Sequence, residues 1–246
     1  MTNRGLGTFR AEGDTLWLYD AIAADEDEAG WLGGIGPMSF IAALARTSGP
    51  VTLRVNSPGG SVFGAQAMVA AIRAHPAPVT ARVDSLAASA ASVVVSECAE
   101  CVMAPGAMMM IHKAWGMTVG NADDHLSVAA LLGRLDEQIA ASYARRAGRE
   151  DDGAAYFLRL MAAETWLDAD EAVAAGLADR VETENLQRPA PLWDLSAYAA
   201  APWAPRCAPS GTAEDPAGDV PAPAAHDAAR GARARRLAAR LAAQPI

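Results

Sequence analysis

Residues 51–60 have the sequence VTLRVNSPGG. Val51–Val55 alternates apolar and polar side chains, which is the pattern of a strand with one buried face. The turn that follows contains Gly59 and Gly60, and paired glycines leave backbone N–H groups free to face a ligand. Ala65–Ala74 then continues with a helical pattern. This strand–turn–helix unit predicts an α/β chain.

Similar units recur on both sides of this segment, and they predict a mostly parallel sheet covered by helices. Asp168–Glu171 is spaced like a capping box and opens a short helix that Gly176 closes. The acidic run Asp25–Glu28 is interpreted as a solvated loop. The other predicted strands are Thr15–Tyr19, Val79–Asp84, Val102–Met103 and Met108–Ile111, and the other predicted helices are Pro37–Thr47, Ala88–Glu97 and Asn121–Ala147.

Composition and charge narrow the class of protein. The 246 residues are 52% hydrophobic and 20% charged, as in a globular protein with one sizeable core. A net charge of -9 argues against a general affinity for nucleic acid or for an anionic membrane. No stretch approaches the roughly 20 apolar residues that span a bilayer, and residues 1–10 lack the apolar region of a signal peptide. We therefore expect a cytoplasmic protein.

The three cysteines do not suggest a disulfide framework, which fits a reducing cytoplasm. Cys98 and Cys101 have a CxxC spacing but no second pair follows them. We interpret them as small buried residues at a helix-to-strand junction rather than as metal ligands.

Four segments are predicted along the chain. Residues 1–14 are expected to be a flexible N-terminus, and residues 15–183 form the main domain. Residues 184–226 are rich in Ala and Pro with little periodicity, which predicts a disordered linker. Residues 227–246 carry arginines among alanines and predict a short basic helix or tail.

A candidate nucleophile lies in the segment DSLAASAAS, residues 84–92. Ser89 falls at a predicted strand-to-helix junction, among alanines that would let a substrate backbone approach. A helix start there also favours a developing negative charge. Alone, the pattern is more often that of an ordinary helix cap or a small packing residue.

A single histidine lies just after the predicted strand of the segment MMMIHK, residues 108–113. His112 on its own is typical of a structural histidine at the end of an element. Serine peptidases, however, need a nucleophile, a base that takes its proton, and donors for the oxyanion. Ser89, His112 and the glycine turn are candidates for these three parts.

In this order and at these distances, the three motifs resemble those of the Clp proteolytic subunits. The family's NSPGG block matches Asn56–Gly60, its AAS block matches Ala87–Ser89, and its MIH block matches Met110–His112. The resemblance runs from about Trp17 to Val181. It implies a crotonase-like α/β fold of repeated strand-strand-helix units with a projecting handle helix.

Carried over residue by residue, the resemblance implies that Ser89 is the nucleophile and His112 the general base. It places the oxyanion hole at the backbone N–H groups of Gly60 and Ala90. Glu164 stands where the family usually has an aspartate, and a glutamate can also orient a histidine. No cofactor or metal is implied.

Three other acids were weighed for the third position of the triad. Asp168 has the spacing of a helix cap, Asp170 lies close to it, and Asp179 suits a surface or turn position. Glu164 is therefore the preferred residue.

Further residues are similar to phage and prophage Clp-like proteases that act in head maturation. These are the opening pattern Leu16–Ile22, then Trp31 with Gly33–Ile35, and Ala163–Leu167. Ala90 follows the serine where housekeeping subunits commonly have methionine, and Lys113-Ala114 replaces Gln-Pro. The resemblance therefore implies processing of capsid or scaffold proteins, in the bacterial cytoplasm or inside assembling phage heads.

The resemblance also implies protein or peptide substrates and a homo-oligomeric ring, or two stacked rings. In the family, the helix matching Asn121–Ala147 belongs to the handle between the rings. Its apolar side would be formed by Leu126, Leu131, Leu132, Leu135 and Ile139.

Three alternatives stay open at this point. One is a housekeeping subunit that works with an ATP-driven unfoldase, and another is a catalytically weak scaffold or capsid-assembly protein on the same fold. The third, an acyl-CoA enzyme on the related fold, has no sequence feature that the peptidase does not explain better.

Overall fold

The computed structural model describes residues 9–149 and 151–182. Their contacts form two units, one of residues 9–116, 128–149 and 151–182 and the other of residues 117–127. The predicted linker at 184–226 and basic tail at 227–246 lie outside the described residues. No helix within the described ranges combines the length and apolar character needed to cross a membrane.

Strands and helices are interspersed along the chain, in the α/β pattern that the sequence predicts. The strands are β1 Arg10–Glu12, β2 Thr15–Leu18, β3 Val51–Ser57, β4 Val79–Ala88, β5 Glu100–Met103, β6 Met108–Ile111, β7 Thr165–Asp168 and β8 Arg180–Val181. The helices are α1 Glu26–Leu32, α2 Pro37–Leu44, α3 Val62–Ala74, α4 Ala90–Ser96, α5 Ala122–Arg146, α6 Gly153–Ala162 and α7 Ala169–Ala174.

The strands form one mixed sheet in the order β1-β2-β3-β4-β5-β8. The pairs from β2 to β8 along this path are parallel, whereas β1 pairs with β2 in the antiparallel direction. β6 lies off the path, pairing in parallel with β4 and antiparallel with β7. The expected mixed α/β architecture with a mostly parallel sheet is confirmed.

The two faces of the central strands have different surroundings. Leu53, Val55, Ala81 and Val83 alternate along β3 and β4 and are fully buried in the main core. The residues between them, including Arg54, are only partly buried. Since successive side chains of a strand point to opposite faces, one face carries the apolar core and the other a polar layer.

Local capping chemistry agrees with the sequence at two helix starts. The Asp168 side chain accepts the backbone N–H of Glu171, and Glu171 returns a bond to the Asp168 N–H, so the predicted capping box is present. At the start of α5, Asn121 Oδ1 accepts the N–H groups of Asp123 and Asp124. Gly176 has a φ of 77° just after α7, consistent with its predicted role as a helix stop.

The prediction of a solvated loop at Asp25–Glu28 is wrong. Asp25 caps helix α1 by accepting the N–H of Glu28, and Glu28 accepts the N–H of Ala24. Acidic side chains are stabilising in the first turn of a helix, where unpaired N–H groups and the macrodipole present positive charge. The acidic run therefore starts a helix.

Several boundaries also differ from the predicted ones. Helix α2 ends at Leu44 rather than Thr47, and α3 begins at Val62 rather than Ala65. Strand β4 extends to Ala88, so α4 begins only at Ala90. Residues 10–12, inside the segment expected to be flexible, form β1.

The apolar stripe of the long helix divides into two parts. Leu135 and Ile139 are buried within the chain, whereas Leu126 is 67% exposed and Leu131 38% exposed. The predicted apolar side is therefore exposed only in the first half of the helix, and its packing between rings stays a prediction. Cys98 and Cys101 are buried at the junction that follows α4, as predicted.

Candidate active site

Ser89 occupies the single residue between strand β4 and helix α4. Its backbone has φ 54° and ψ -126°, a conformation that residues other than glycine rarely adopt. Its N–H donates to the carbonyl of Met110 at 2.9 Å, which ties the turn to β6. The predicted strand-to-helix junction is confirmed, and the sharp turn holds the hydroxyl at the end of the strand.

His112 follows β6, the strand that pairs in parallel with the end of β4. Ala88 lies opposite Met110 in this pair, and the carboxyl ends of parallel strands meet at one edge of a sheet. The pairing brings together two residues 23 positions apart in the sequence. His112 Nε2 lies 2.7 Å from Ser89 Oγ, within hydrogen-bonding distance.

Burial lowers the pKa of His112 below its ordinary value, because desolvation disfavours the imidazolium. The carboxylates of Glu164 and Asp136 act in the opposite direction and raise this pKa. A neutral imidazole with its proton on Nδ1 can accept the serine proton through Nε2. The pair is therefore suited to base catalysis near neutral pH.

Glu164 lies between helix α6 and strand β7. The antiparallel pairing of β6 and β7 sets Ile111 opposite Thr165, which brings Glu164 to the level of His112. The Trp166 indole N–H donates to Glu164 Oε1 at 3.3 Å. The sheet thus brings the preferred third residue to the serine–histidine pair.

Backbone strain marks the same residues. Within 9–149 and 151–182, the non-glycine residues with positive φ are Ser89 at 54° and Glu164 at 48°. Such conformations cost about 1–3 kcal/mol each and concentrate at functional sites. The strain is independent of the sequence motifs, and it supports Glu164 as well as Ser89.

Two backbone N–H groups face no acceptor beside the serine. Ala90 is the first residue of α4, so its N–H has no partner inside the helix, and no acceptor is found among the described residues for it or for Gly60. A Cβ at Gly59 would lie 2.7 Å from Ser89 Cβ and 2.8 Å from the Ala90 nitrogen. The glycine turn therefore passes so close to the serine that position 59 has no room for a side chain.

A family model described as Clp protease matches residues 38–185. The chain belongs to the Clp protease family. The match includes Ser89, His112 and Glu164 as well as the glycine turn. Members of this family are peptidases, generally of the serine type, which typically form oligomeric rings and bind protein substrates.

The other acids considered for the triad of this Clp protease lie elsewhere in the fold. Asp168 caps α7, and Asp170 lies in the first turn of that helix. Asp179 forms an ion pair with Arg146 and accepts the Cys101 N–H at 2.6 Å. None of the three is among the charges that act on His112.

Sequence reasoning missed Asp136, which lies on α5 and is only 7% exposed. Its carboxylate acts on His112 and accepts the Ala114 N–H at 2.7 Å. The available signal was an acid between Leu135 and Ile139, in a stripe expected to be apolar. A buried acid is uncommon without a specific partner.

Proposed function

We propose that this Clp protease is a serine endopeptidase that cuts peptide bonds through an acyl-enzyme on Ser89. His112 acts as the general base, Glu164 orients the imidazole, and the N–H groups of Gly60 and Ala90 form the oxyanion hole. The observation that carries the proposal is the 2.7 Å contact between His112 Nε2 and the hydroxyl of a conformationally strained serine.

In the acylation step, Ser89 Oγ attacks the peptide carbonyl carbon while its proton passes to His112 Nε2. The carbonyl oxygen becomes an oxyanion, which the N–H groups of Gly60 and Ala90 can stabilise. The imidazolium then protonates the leaving amine, and the C–N bond breaks. A water molecule, deprotonated by the same histidine, hydrolyses the ester and restores the serine.

Glu164 is supported as the orienting acid by three observations. The pairing of β6 with β7 sets it opposite His112, and its backbone is held in a strained conformation. Of the charges that raise the pKa of His112, that of Glu164 has the largest effect. A carboxylate in this role stabilises the imidazolium that forms during the reaction.

The peptidase proposal is tested by intact-mass measurement after exposure to a fluorophosphonate probe. Wild type is expected to gain one adduct through an Oγ–P bond with loss of fluoride, whereas Ser89→Ala and His112→Ala gain none. Ser96→Ala is the matched control, because Ser96 lies on the same helix and, among the described residues, its hydroxyl donates to the Val93 carbonyl. An assembled wild type that gains no adduct would favour a catalytically weak scaffold protein.

We also propose that the substrates are capsid or scaffold proteins during phage head maturation, in the cytoplasm of a bacterial host or within assembling heads. Support comes from the sequence features similar to phage-encoded Clp-like proteases, including Ala90 after the serine and Lys113-Ala114 after the histidine. Confinement in a homo-oligomeric ring would restrict cleavage to flexible segments.

This role is tested by incubating the protein with the capsid and scaffold proteins encoded in the same phage or prophage genome. Limited cleavage by wild type without ATP, absent with Ser89→Ala, is the expected result. Degradation to short peptides that requires ATP and an unfoldase would instead favour the housekeeping alternative.

A further inference from the structure

Helix α5 places two polar side chains in the interior, two turns apart. Asp136 and Tyr143 are separated by seven residues, so they lie on the same helix face. Asp136 is 7% exposed and Tyr143 1% exposed, among the apolar residues Ile139 and Ala140. Buried polar groups are retained only with hydrogen-bond partners. The partners of these two side chains lead to the serine–histidine pair.

Asp136 holds the segment that leaves the histidine. Its Oδ1 accepts the backbone N–H of Ala114 at 2.7 Å, two residues beyond His112. The intervening Lys113 N–H donates to the carbonyl of Met161 at 3.2 Å, on helix α6. The chain after the histidine is therefore fixed by two different helices, which limits the backbone positions open to the imidazole.

Tyr143 reaches the nucleophile through one serine. The Ser92 hydroxyl donates to the Ser89 carbonyl at 2.5 Å, and the same carbonyl accepts the Ser92 N–H at 2.9 Å. The Tyr143 hydroxyl lies 2.8 Å from Ser92 Oγ. Because the single Ser92 proton goes to the carbonyl, the tyrosine is the donor in the second bond.

Burial keeps this tyrosine protonated. Desolvation raises the pKa of the Tyr143 hydroxyl above its ordinary value. It therefore remains a donor throughout the pH range in which a histidine titrates. The chain from Tyr143 through Ser92 to the Ser89 carbonyl is satisfied at each atom.

We propose that Asp136 and Tyr143 are positioning residues, through which helix α5 holds the base and the nucleophile at bonding distance. The inference rests on the proposed peptidase function. It assigns neither residue any contact with substrate. Asp136 acts through the Ala114 backbone on His112, and Tyr143 acts through Ser92 on Ser89.

Asp136 has an electrostatic effect in addition to its hydrogen bond. The charged groups that act on His112 are Glu164 beside α6 and Asp136 of α5, while Ser89 presents a neutral hydroxyl. The neighbouring Lys113 is exposed. Since a nearby negative charge favours the imidazolium, removing the Asp136 charge should lower the pKa of His112.

The Tyr143 half is tested with Tyr143→Phe, which keeps the ring and removes the hydroxyl. We expect kcat on a fluorogenic peptide to fall about tenfold, since small displacements of a nucleophile have large kinetic effects. KM should stay within about twofold because no substrate contact is lost. Tyr156→Phe is the matched control, since Tyr156 packs on Phe157 and Arg149 and should leave kcat unchanged.

The Asp136 half is tested with two variants that separate charge from hydrogen bond. Asp136→Asn retains an oxygen for the Ala114 N–H, and we expect the acid limb of kcat/KM to move to lower pH with little loss of kcat. Asp136→Ala loses both, and kcat should also fall about tenfold. Glu137→Gln removes a charge from the exposed neighbouring position and should leave the profile unchanged.

A second readout does not depend on catalysis. The pH dependence of His112 carbethoxylation by diethylpyrocarbonate, followed by peptide mass mapping, reports the pKa of this histidine directly. Wild-type kcat in Tyr143→Phe and Asp136→Ala, with an unchanged His112 pKa in Asp136→Asn, would overturn the inference while leaving the peptidase proposal standing. If the wild type proves inactive but Asp136→Asn still lowers the pKa of His112, the result would support the positioning contact and remove the peptidase proposal.

Discussion

Polar side chains are held at two places five residues apart, Asp84 within strand β4 and Ser89 directly after it. Asp84, whose side chain is 5% exposed, accepts Tyr19 Oη at 2.5 Å and is held by Arg54 through two nitrogens at 2.7 and 2.9 Å. Arg82 adds a further cation at 3.4 Å. Ser89 has one side-chain partner, His112, and lies beside N–H groups that face no acceptor among the described residues.

The two places differ in whether their hydrogen-bonding groups are already used. Both Asp84 oxygens are occupied by donors, so the cluster leaves no place for a substrate atom. The Ser89 region has strain at its backbone and donors still unused, which are the two properties that a developing oxyanion requires. Buried polarity is therefore common to structural and functional clusters, whereas unused donors beside a strained serine distinguish the Ser89 region from the Asp84 cluster.

A break in the strand register lies between the two places. Val55 pairs with Val83, but Ser57 pairs with Ala87, so β4 has two more residues than β3 in this interval. Over the same interval β4 changes its second neighbour from β5 to β6. Irregularities of this kind often lie beside active sites and redirect a side chain. The Asp84 cluster therefore anchors the strand just before it turns toward the histidine.

The largest effect on kcat is expected from substitutions of Ser89 and His112. Ser89→Ala should reduce kcat on a peptide substrate by about 10⁴-fold or more, with the melting temperature little changed, because the nucleophile is lost and the core is not. His112→Ala should have a similar effect, and the double variant should be no slower than either single one. If the fold-losses of the two single variants multiplied in the double variant, the serine and the histidine would not work as one unit.

Glu164→Gln should reduce kcat by about 10³-fold, since the imidazolium loses its stabilising carboxylate. The same change should lower the pKa of His112, because Glu164 raises it against the effect of burial. The acid limb of kcat/KM should therefore move to lower pH. Asp170→Gln, at an exposed position of α7, is the control. An unshifted acid limb would show that Glu164 does not act on the base.

In the Asp84 cluster, Asp84→Ala should lower the free energy of unfolding by about 3 kcal/mol, because it leaves the partly buried Arg54 without its carboxylate. Urea denaturation measures the change. Glu12→Ala, which removes an exposed partner of Arg10, should be without measurable effect and serves as the control. Full stability in Asp84→Ala would mean that the cluster does not anchor the strand.

The smallest expected effect concerns the strain at the serine. Ser89→Gly should be more stable than Ser89→Ala by about 1 kcal/mol, because glycine adopts positive φ without a steric cost, offset partly by its freedom in the unfolded chain. Both variants lack the nucleophile, so thermal unfolding isolates the backbone contribution. Equal stability would argue that the φ of 54° carries little strain.

Short-range features could be predicted from the sequence, and the reason is physical. The strand alternation at Val51–Val55 and the capping box at Asp168 depend only on neighbours in the chain, and both are confirmed. The order of the three motifs was enough to indicate the family. The prediction of a loop at Asp25–Glu28 was wrong because a helix cap and a solvated loop use the same residue types.

The positions of Asp136 and Tyr143 could not be predicted in this way. Asp136 meets Ala114 and Tyr143 meets Ser92 only after α5 packs against α4 and the segment beyond β6, across 22 and 51 residues of sequence. No local pattern encodes such contacts. The catalytic roles of Ser89, His112 and Glu164 stay predictions, although the sheet brings all three together.

The glycine turn also limits how this protein can change. A Cβ at Gly59 would lie 2.4 Å from the Ala88 carbonyl oxygen, and one at Gly60 would lie 2.2 Å from that of Ile22. Both contacts are with backbone, which cannot move aside as a flexible side chain can. A mutational library around this turn should therefore return only glycine at these two positions. Variation in cleavage preference, by evolution or by design, must come from side chains on other elements.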